Sequence, residues 1–290
     1  MSRLCALALV ATSVAAGSAA GPPPEDLAAR LERVGLRVQA YYARARSMTS
    51  TETVRIQQLA PDLSSVGRSR QIVHELRIGW EPSPDGSAPA EASVLRQILT
   101  VNGRPPKPGE EPQCMDPKVV SPEALAMLLP HRRDEFAFSA AGTGRTEGRP
   151  SVRIDYRAVD APPPEVIWRG DCVTVSLPGK TRGRVWVDRD TDDVLRVDES
   201  LAGMYEFPIP ADRRLTGGAA YMVIERADSS TRYRGVSFQD PEETLMLPRS
   251  IDTVTIWRNA GIARVRTSQV FTNYKRFITA GRVVQEPSAR

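Results

Sequence analysis

Apolar residues recur at spacings of four and three along the segment 25–46, EDLAARLERVGLRVQAYYARAR. Such spacing gives one apolar stripe along an α-helix. The stripe consists of Leu27, Leu31, Val34, Val38, Tyr41 and Ala45. Glu25 and Asp26 open the segment and Arg44 and Arg46 close it, which suits the helix dipole. The pattern therefore predicts an amphipathic helix whose apolar stripe covers another apolar surface.

Beyond this helix the apolar positions alternate with polar ones. In the segment SVRIDYRA, for example, Val152, Ile154 and Tyr156 alternate with charged residues. Alternation of this kind is typical of half-buried antiparallel strands, and about ten such segments separated by turn signals predict a sheet that curls or closes. The segment SPEALAMLLP interrupts them as a short helix, with Ser121 as its N-cap and Pro130 as its terminator.

Beyond its first residues, the chain shows no change in composition that would mark a domain boundary and no internal repeat at a fixed period. Arg3, a short apolar run and the small residues SAA predict a secretory signal that is cleaved near Ala20. The apolar run is too short to span a bilayer, and no later segment is apolar enough to do so. We expect a signal peptide over residues 1–20 and a single domain over 21–290, with polar, proline-rich loops at 81–91 and 102–117.

The cysteines fit an exported protein. Without Cys5, the chain keeps the pair Cys114 and Cys172. An even pair in an oxidising compartment favours a disulfide, and two separate buried thiols are the alternative.

The formal net charge is +4, with both signs spread along the chain. This distribution argues against a dedicated nucleic-acid binder. The end of the chain after Ile251 is more basic, and either a solvated face or a patch for an anionic partner explains it.

The stretch VWVDRDTDDVLRVDE resembles a calcium loop, because Asp188, Asp190 and Asp192 alternate and Glu199 is twelfth from Asp188. Its flanks, however, have the alternation of strands, whereas an EF-hand loop lies between helices. The sixth loop position, which requires glycine, is Asp193. The stretch is therefore predicted to be a hairpin whose tip acids form a turn, and no metal site is expected.

The sequence offers little catalytic chemistry. Its two histidines, His74 and His131, lie in a strand pattern and after a helix, and no zinc-binding or nucleophile motif includes them. Glycine-rich phosphate loops with the lysine–hydroxyl ending are also missing from the mature sequence. We expect no catalytic residue and no cofactor, and an enzyme built on a dispersed acid pair is the third alternative for function.

The hairpin GRVWVDRDTDDVLRVDES resembles the signature hairpin of the LolA/LolB-like periplasmic lipoprotein carriers. The export signal, the leading amphipathic helix and the late strand SQVFTNYKRF are also similar. The resemblance implies an α+β, mainly β fold. In that fold a single large curved antiparallel sheet forms a half-open barrel, and the N-terminal and short inserted helices cover its concave face. It also implies a periplasmic location.

The resemblance implies a function as well: the concave face binds lipid or lipoprotein acyl chains, and the N-terminal helix acts as a lid. Residues expected to line the binding face are Leu76, Ile78, Trp80, Leu95, Leu99, Phe136, Phe138, Val185, Val187, Leu195 and Val197. For each of them, packing in a sealed core is the alternative. A non-catalytic module that binds envelope proteins or senses envelope stress is the second functional class.

Overall fold

The computed structural model describes residues 26–44, 48–80, 92–108, 113–116, 122–159, 162–214, 216–239 and 242–276, without the side chains at 78–80, 92–94 and 122–124. The predicted signal peptide, Ala45, Ser121 and the loop 81–91 lie outside these residues. One α-helix, α1, extends over Leu27–Arg44.

Most of the described chain forms strands. They are β1 Met48–Leu59, β2 Ser65–Trp80, β3 Ala92–Val101, β4 Phe136–Thr146, β5 Arg149–Ala158, β6 Glu165–Arg169, β7 Cys172–Ser176, β8 Thr181–Asp188, β9 Val194–Leu201, β10 Tyr205–Pro208, β11 Tyr221–Gln239, β12 Glu242–Arg258 and β13 Arg264–Arg276. Short 3₁₀ segments occur at Pro122–Leu128, Pro130–Glu135 and Ala211–Arg213. The predicted inserted helix is thus a pair of 3₁₀ turns rather than an α-helix, consistent with its short length and the prolines that start each turn.

Eleven strands form one antiparallel sheet in the order β3-β2-β1-β13-β12-β11-β9-β8-β5-β4, with β10 beside β11. Its edges, β3 and β4, do not pair with each other, so the curved sheet is open. Strands β6 and β7 form a separate hairpin. The predicted fold class, mainly β with one large antiparallel sheet and an N-terminal helix, is confirmed.

The two faces of the sheet differ in what covers them. Val185 and Val187 of β8 are fully buried and belong to the same apolar cluster as residues of α1. Successive side chains of a strand point to opposite faces, so the intervening Trp186 and Arg184 lie on the other side. We call these the helix-covered face and the open face.

The main core lies between α1 and the helix-covered face. Leu31, Val34, Val38 and Tyr42 are the buried apolar side chains of α1, whereas Leu27 and Tyr41 are partly buried against them. They pack with the 3₁₀ segment around Leu128 and with apolar residues of the sheet strands. Those strand residues are Met48, Leu76, Ile154, Tyr156, Val185, Val187, Val194, Val197, Tyr233, Phe238, Leu245, Leu247 and Phe271.

A second, smaller cluster lies at the other end of the helix-covered face. Val54, Ile56 and Ile72 are buried there, with Met115 packed against them. The adjacent Cys114 forms a disulfide with Cys172 of β7, with a Cα–Cα distance of 5.1 Å. The predicted disulfide is confirmed, and it joins the segment that covers this cluster to the β6–β7 hairpin.

Gly35 lets α1 lie close to the 3₁₀ segments. A Cβ built on Gly35 would be 2.9 Å from the Leu128 carbonyl oxygen and 3.0 Å from the Arg133 guanidinium. Contacts below 3.0 Å force a neighbour to move, and in this contact one neighbour is backbone. Arg133 also donates a hydrogen bond of 3.1 Å to the carbonyl of Leu31. The close approach of α1 therefore requires the small size of glycine at position 35.

Substitution Gly35→Ala tests this close approach. Helix propensity alone would make alanine more stabilising than glycine by about 1 kcal/mol. We expect a net loss of about 1–3 kcal/mol instead, because the methyl group overpacks the contact with Leu128. Chemical denaturation of both proteins measures the difference, and an increase in the free energy of unfolding would contradict a tight contact at Gly35.

Candidate functional site

The tip of the β8–β9 hairpin is built by its acidic side chains. The Asp188 carboxylate accepts hydrogen bonds from the backbone N–H groups of Asp190 and Thr191, both at 2.9 Å. Arg149 Nε lies 2.7 Å from its other oxygen. Burial would raise the pKa of Asp188, but these N–H groups and the Arg149 charge hold the pKa below its usual value. The carboxylate of Asp188 therefore stays ionised and closes the turn.

Asp192 of the same turn anchors α1. One of its carboxylate oxygens is 2.7 Å from Arg30 Nη1, and the other is 2.8 Å from Arg33 Nε. Arg30 is only 4% exposed, so this ion pair lies at the edge of the core. Asp192 has a backbone φ of +59°, a conformation that aspartate and asparagine tolerate better than most residues. The hairpin tip thus serves as a docking point for the helix.

Substitution Asp192→Asn removes the charge and keeps the backbone preference. We expect a loss of about 1.5–3 kcal/mol in the free energy of unfolding, because the buried Arg30 guanidinium loses the charge-assisted hydrogen bond to Asp192. Asp190→Asn, at a side chain that is 67% exposed, is the matched control and should change stability by less than about 0.5 kcal/mol. Equal effects of the two substitutions would show that Asp192 does not anchor the helix.

Several of the residues expected to line a binding face meet beneath α1. Leu76, Val185, Val187 and Val197 are all at most 4% exposed and belong to the main core cluster. Phe136 and Phe138 are partly buried at its side and contact the ring of Tyr156, with ring-centre distances of 6.2 and 6.4 Å. These six residues share the helix-covered face.

The remaining expected lining residues lie elsewhere. Leu95 pairs with Arg77 of β2. Arg77 points to the opposite face from its neighbour Leu76, so Leu95 lies on the open face, where it is 60% exposed. Leu99 falls at a register shift between β2 and β3 and is 40% exposed. The expectation that these two leucines share a face with Leu76 is wrong, because strand alternation and the bulge direct them away.

Leu195 also falls at a bulge, where Trp186 pairs with Arg196 but Val187 pairs with Val194. Leu195 is buried, yet it does not belong to the cluster that contains Val185, Val187 and Val197. Ile78 and Trp80 belong to β2, and their side chains lie outside the described residues.

A groove of about 200 Å³ opens between α1 and the sheet. Its walls are partly apolar, and Arg37 and Arg44 of α1, together with Asp193 and Thr244, add charged and polar groups to them. The apolar part is lined by Val38, Tyr41, Leu125, Val194, Tyr233, Leu245 and Met246. Val38, Leu125, Val194, Tyr233 and Leu245 are also members of the main core cluster. The groove therefore leads from solvent to the apolar surface that α1 covers.

A buried polar network separates the two apolar clusters on the helix-covered face. Glu52 is fully buried and accepts hydrogen bonds from Arg96, at 2.7 and 3.1 Å, and from Gln269, at 2.9 Å. His74 Nδ1 is 3.1 Å from the same carboxylate. Burial would raise the pKa of Glu52, but the hydrogen bonds from His74 and Arg96 and the Arg96 charge hold this pKa below its usual range. The network joins β1, β2, β3 and β13.

Substitution Glu52→Gln tests the network through its pH dependence. Because the pKa of Glu52 is lowered on folding, its carboxylate stabilises the protein above about pH 4.5, and this contribution is lost as the pH falls through the folded pKa. We expect a loss of about 3–5 kcal/mol at pH 7, since Arg96 is left buried without its anion. The free energy of unfolding should also fall less steeply with acidification below pH 4.5 than in the wild type.

Glu75→Gln on the adjacent strand is the control, because the side chain of Glu75 is 41% exposed and pairs with the exposed Arg77. Its effect should stay below about 1 kcal/mol. An unchanged acid profile in Glu52→Gln would contradict the assignment of a charged carboxylate to this network.

Within the described residues, no group of three or more histidine, cysteine and acidic side chains could hold a metal ion. No helix in this part of the chain is long and apolar enough to cross a membrane.

No family model matches the sequence, and no curated protein matches it. Among solved structures, the chain is similar to a putative outer membrane lipoprotein-sorting protein domain from Vibrio parahaemolyticus, with 11% identity, coverage of 84% of this chain and 91% of that chain, and a TM-score of 0.35. A LolA superfamily protein from Nitrosomonas europaea has 8% identity, covers 88% and 97% of the two chains, and gives a TM-score of 0.34.

A structure of the MucA/MucB complex of Pseudomonas aeruginosa is also similar, with 12% identity, coverage of 86% of this chain and 99% of that chain, and a TM-score of 0.23. The first two of these structures come from the LolA-like lipoprotein-sorting group, which the sequence of the β8–β9 hairpin resembles. At such identities and TM-scores they carry no conclusion about the function of this chain.

Proposed function

We propose that this protein is a non-catalytic, exported binding protein that takes up a hydrophobic ligand between α1 and the helix-covered face of its sheet. The ligand class is the acyl chain of a lipid or lipoprotein, and the compartment is the periplasm. The observation that carries the proposal is the groove beside α1, whose apolar walls continue into the core cluster. A surface opening that leads to buried apolar side chains is the usual entrance of a ligand site.

The size of the groove implies that α1 moves. Its volume of about 200 Å³ is below the range of about 300–1,000 Å³ that holds a ligand of ordinary size. Binding therefore requires α1 to move away from the sheet, which would expose Leu76, Val185 and Val187 as the floor of a larger site. In this proposal α1 is a lid that competes with the ligand for one apolar surface.

The contacts of α1 suit a lid. In its first half Arg30 and Arg33 bind Asp192, and at its last residue Arg44 lies 4.0 Å from Glu243. Apolar packing by Leu31, Val34 and Val38 also holds the helix, and the apolar part of a ligand can replace these contacts. At the rim, the Arg37 guanidinium lies where a ligand carboxylate or phosphate would remain in water.

A fluorescent fatty acid tests the lid. Val38→Ala weakens the packing of α1, so less binding energy goes into opening the lid, and we expect the variant to bind the probe more tightly than the wild type. Leu31→Ala should act in the same direction and lower the free energy of unfolding by about 2–5 kcal/mol. Leu36→Ala is the matched control, because Leu36 lies on the same helix and is 56% exposed, and it should change neither quantity.

A substitution that fills the groove separates this proposal from a sealed core. Met246→Trp adds volume to the groove wall and should weaken probe binding about tenfold or more in a protein that remains folded. If neither the wild type nor the Val38→Ala protein binds the probe, while α1 substitutions lower stability, then the helix is a permanent part of the core and the proposal is wrong.

A further inference from the structure

A large cavity lies on the open face, opposite α1. It has a volume of about 1090 Å³ and crosses the strands from β4 to β13. Two rows of residues whose side chains lie on the open face form its walls. One row contains Ser139, Asp155, Arg184, Asp198, Ser230 and Asp252, and the other contains Ala137, Arg157, Arg182, Ser200, Asp228, Val254 and Arg266. We call this cavity the open-face trough.

The open face is basic where β5, β8 and β9 lie side by side. Its charged residues there are Arg153, Arg157, Arg182, Arg184 and Arg196, against Asp155 and Asp198. Both aspartates bind arginines of the same face. Asp155 is 2.9 Å from Arg184 Nη2, and Asp198 accepts two hydrogen bonds of 2.7 Å from Arg196. The positive charge that remains belongs to the other three arginines.

Two of these arginines, Arg157 and Arg182, are close enough to repel each other when no ligand is bound. Arg157 and Arg182 pair directly across β5 and β8, and both are exposed. Like charges that face each other across a strand pair destabilise a sheet. No hydrogen bond or ion pair joins either guanidinium to another described residue. An anion bound between them would relieve the repulsion, so this end of the trough is suited to a carboxylate or phosphate.

The far end of the trough carries another arginine, Arg266 of β13. Four strand spacings separate it from Arg182, which is about 19 Å. This distance is too long for one small anion, and it corresponds to about six residues of an extended chain. Between the two ends, Asp228 is bound by Arg226 and Asp252 by the Ser268 hydroxyl. The centre of the trough therefore favours uncharged groups. Trp186, on the same strand as Arg182, and Val254, which pairs with Arg266, offer apolar contacts nearer the two ends.

We propose that the open-face trough binds an extended segment of a partner protein that carries carboxylates at both ends and uncharged or apolar residues between them. A concave trough suits a single chain better than a flat bilayer surface. Guanidinium groups at the two ends fix the register of such a segment through charge-assisted hydrogen bonds, which are the stronger and more directional ones. The site is separate from the apolar site beneath α1, so both could be occupied at once.

The test uses a labelled peptide of about seven residues, whose ends are about six residue rises apart, with glutamates at both ends and a phenylalanine at its centre, and a counterpart with glutamine in place of glutamate. We expect fluorescence anisotropy to show at least about tenfold tighter binding of the glutamate peptide, because each guanidinium–carboxylate pair contributes more than a neutral one. The Arg157→Gln/Arg182→Gln double variant should lose about tenfold or more in affinity. Arg55→Gln is the matched control, since Arg55 is exposed on the open face of β1 outside the trough.

Stability gives a second readout that a purely structural role would not produce. Arg182→Gln removes the repulsion with Arg157, so its melting temperature should be equal to or about 1 °C above that of the wild type while peptide binding is lost. Three results would overturn the proposal. They are no preference for the glutamate peptide in the wild type, an equal loss in Arg55→Gln, and binding of an acidic oligosaccharide such as oligogalacturonate in place of the peptide.

Discussion

The apolar stripe of α1 and the apolar face of the sheet can be kept from water only by packing against each other, and the rest of the structure depends on this contact. The sheet is open and cannot enclose its own apolar face, so separate pieces of chain must cover it. At one end α1 and the 3₁₀ segments around Leu128 do so, with Gly35 allowing them to approach closely. At the other end a segment held by the Cys114–Cys172 disulfide covers the smaller cluster. The two covers differ in kind, because a disulfide ties one of them to the β6–β7 hairpin, whereas packing and ion pairs hold the other.

This difference connects the fold to the proposed function. The segment at Cys114 is tied by its disulfide to the β6–β7 hairpin, whereas in the proposal α1 moves once Arg30 and Arg33 release Asp192. Between the covers, the buried Glu52 network fixes four strands relative to one another through hydrogen bonds that would be costly to break. A rigid sheet with one detachable cover is suited to a site that opens and closes. The opposite face carries the trough, whose charged walls suit a different kind of ligand.

Much of this arrangement could be predicted from the sequence because it depends on local periodicity. The stripe from Leu27 to Tyr41 predicted α1, and the alternation around Val185 and Val187 predicted which residues of the hairpin are buried. Features that depend on pairing between distant strands could not be predicted in this way. Leu95 and Leu99 have an apolar pattern, but the register of β3 against β2 places them away from Leu76.

The contacts of the buried polar residues also depend on tertiary structure and could not be predicted from local periodicity. Alternation in β1 places Glu52 on the same face as Val54, which hints at burial, but its partners Arg96 and Gln269 are distant in sequence and only the sheet order brings them together. The acids of the β8–β9 turn were predicted to form a turn. That Asp192 also binds α1 follows from tertiary packing, since its partners Arg30 and Arg33 precede it by about 160 positions.

Native-state hydrogen exchange across increasing denaturant tests most directly whether α1 is a detachable lid. If it is, the amide hydrogens of α1 exchange through a local opening whose free energy is lower, and less dependent on denaturant, than that of the amides in β8 and β11. Exchange of α1 with the same free energy and the same denaturant dependence as these strands would show that the helix leaves the sheet only when the whole protein unfolds, and would contradict the role of α1 as a lid.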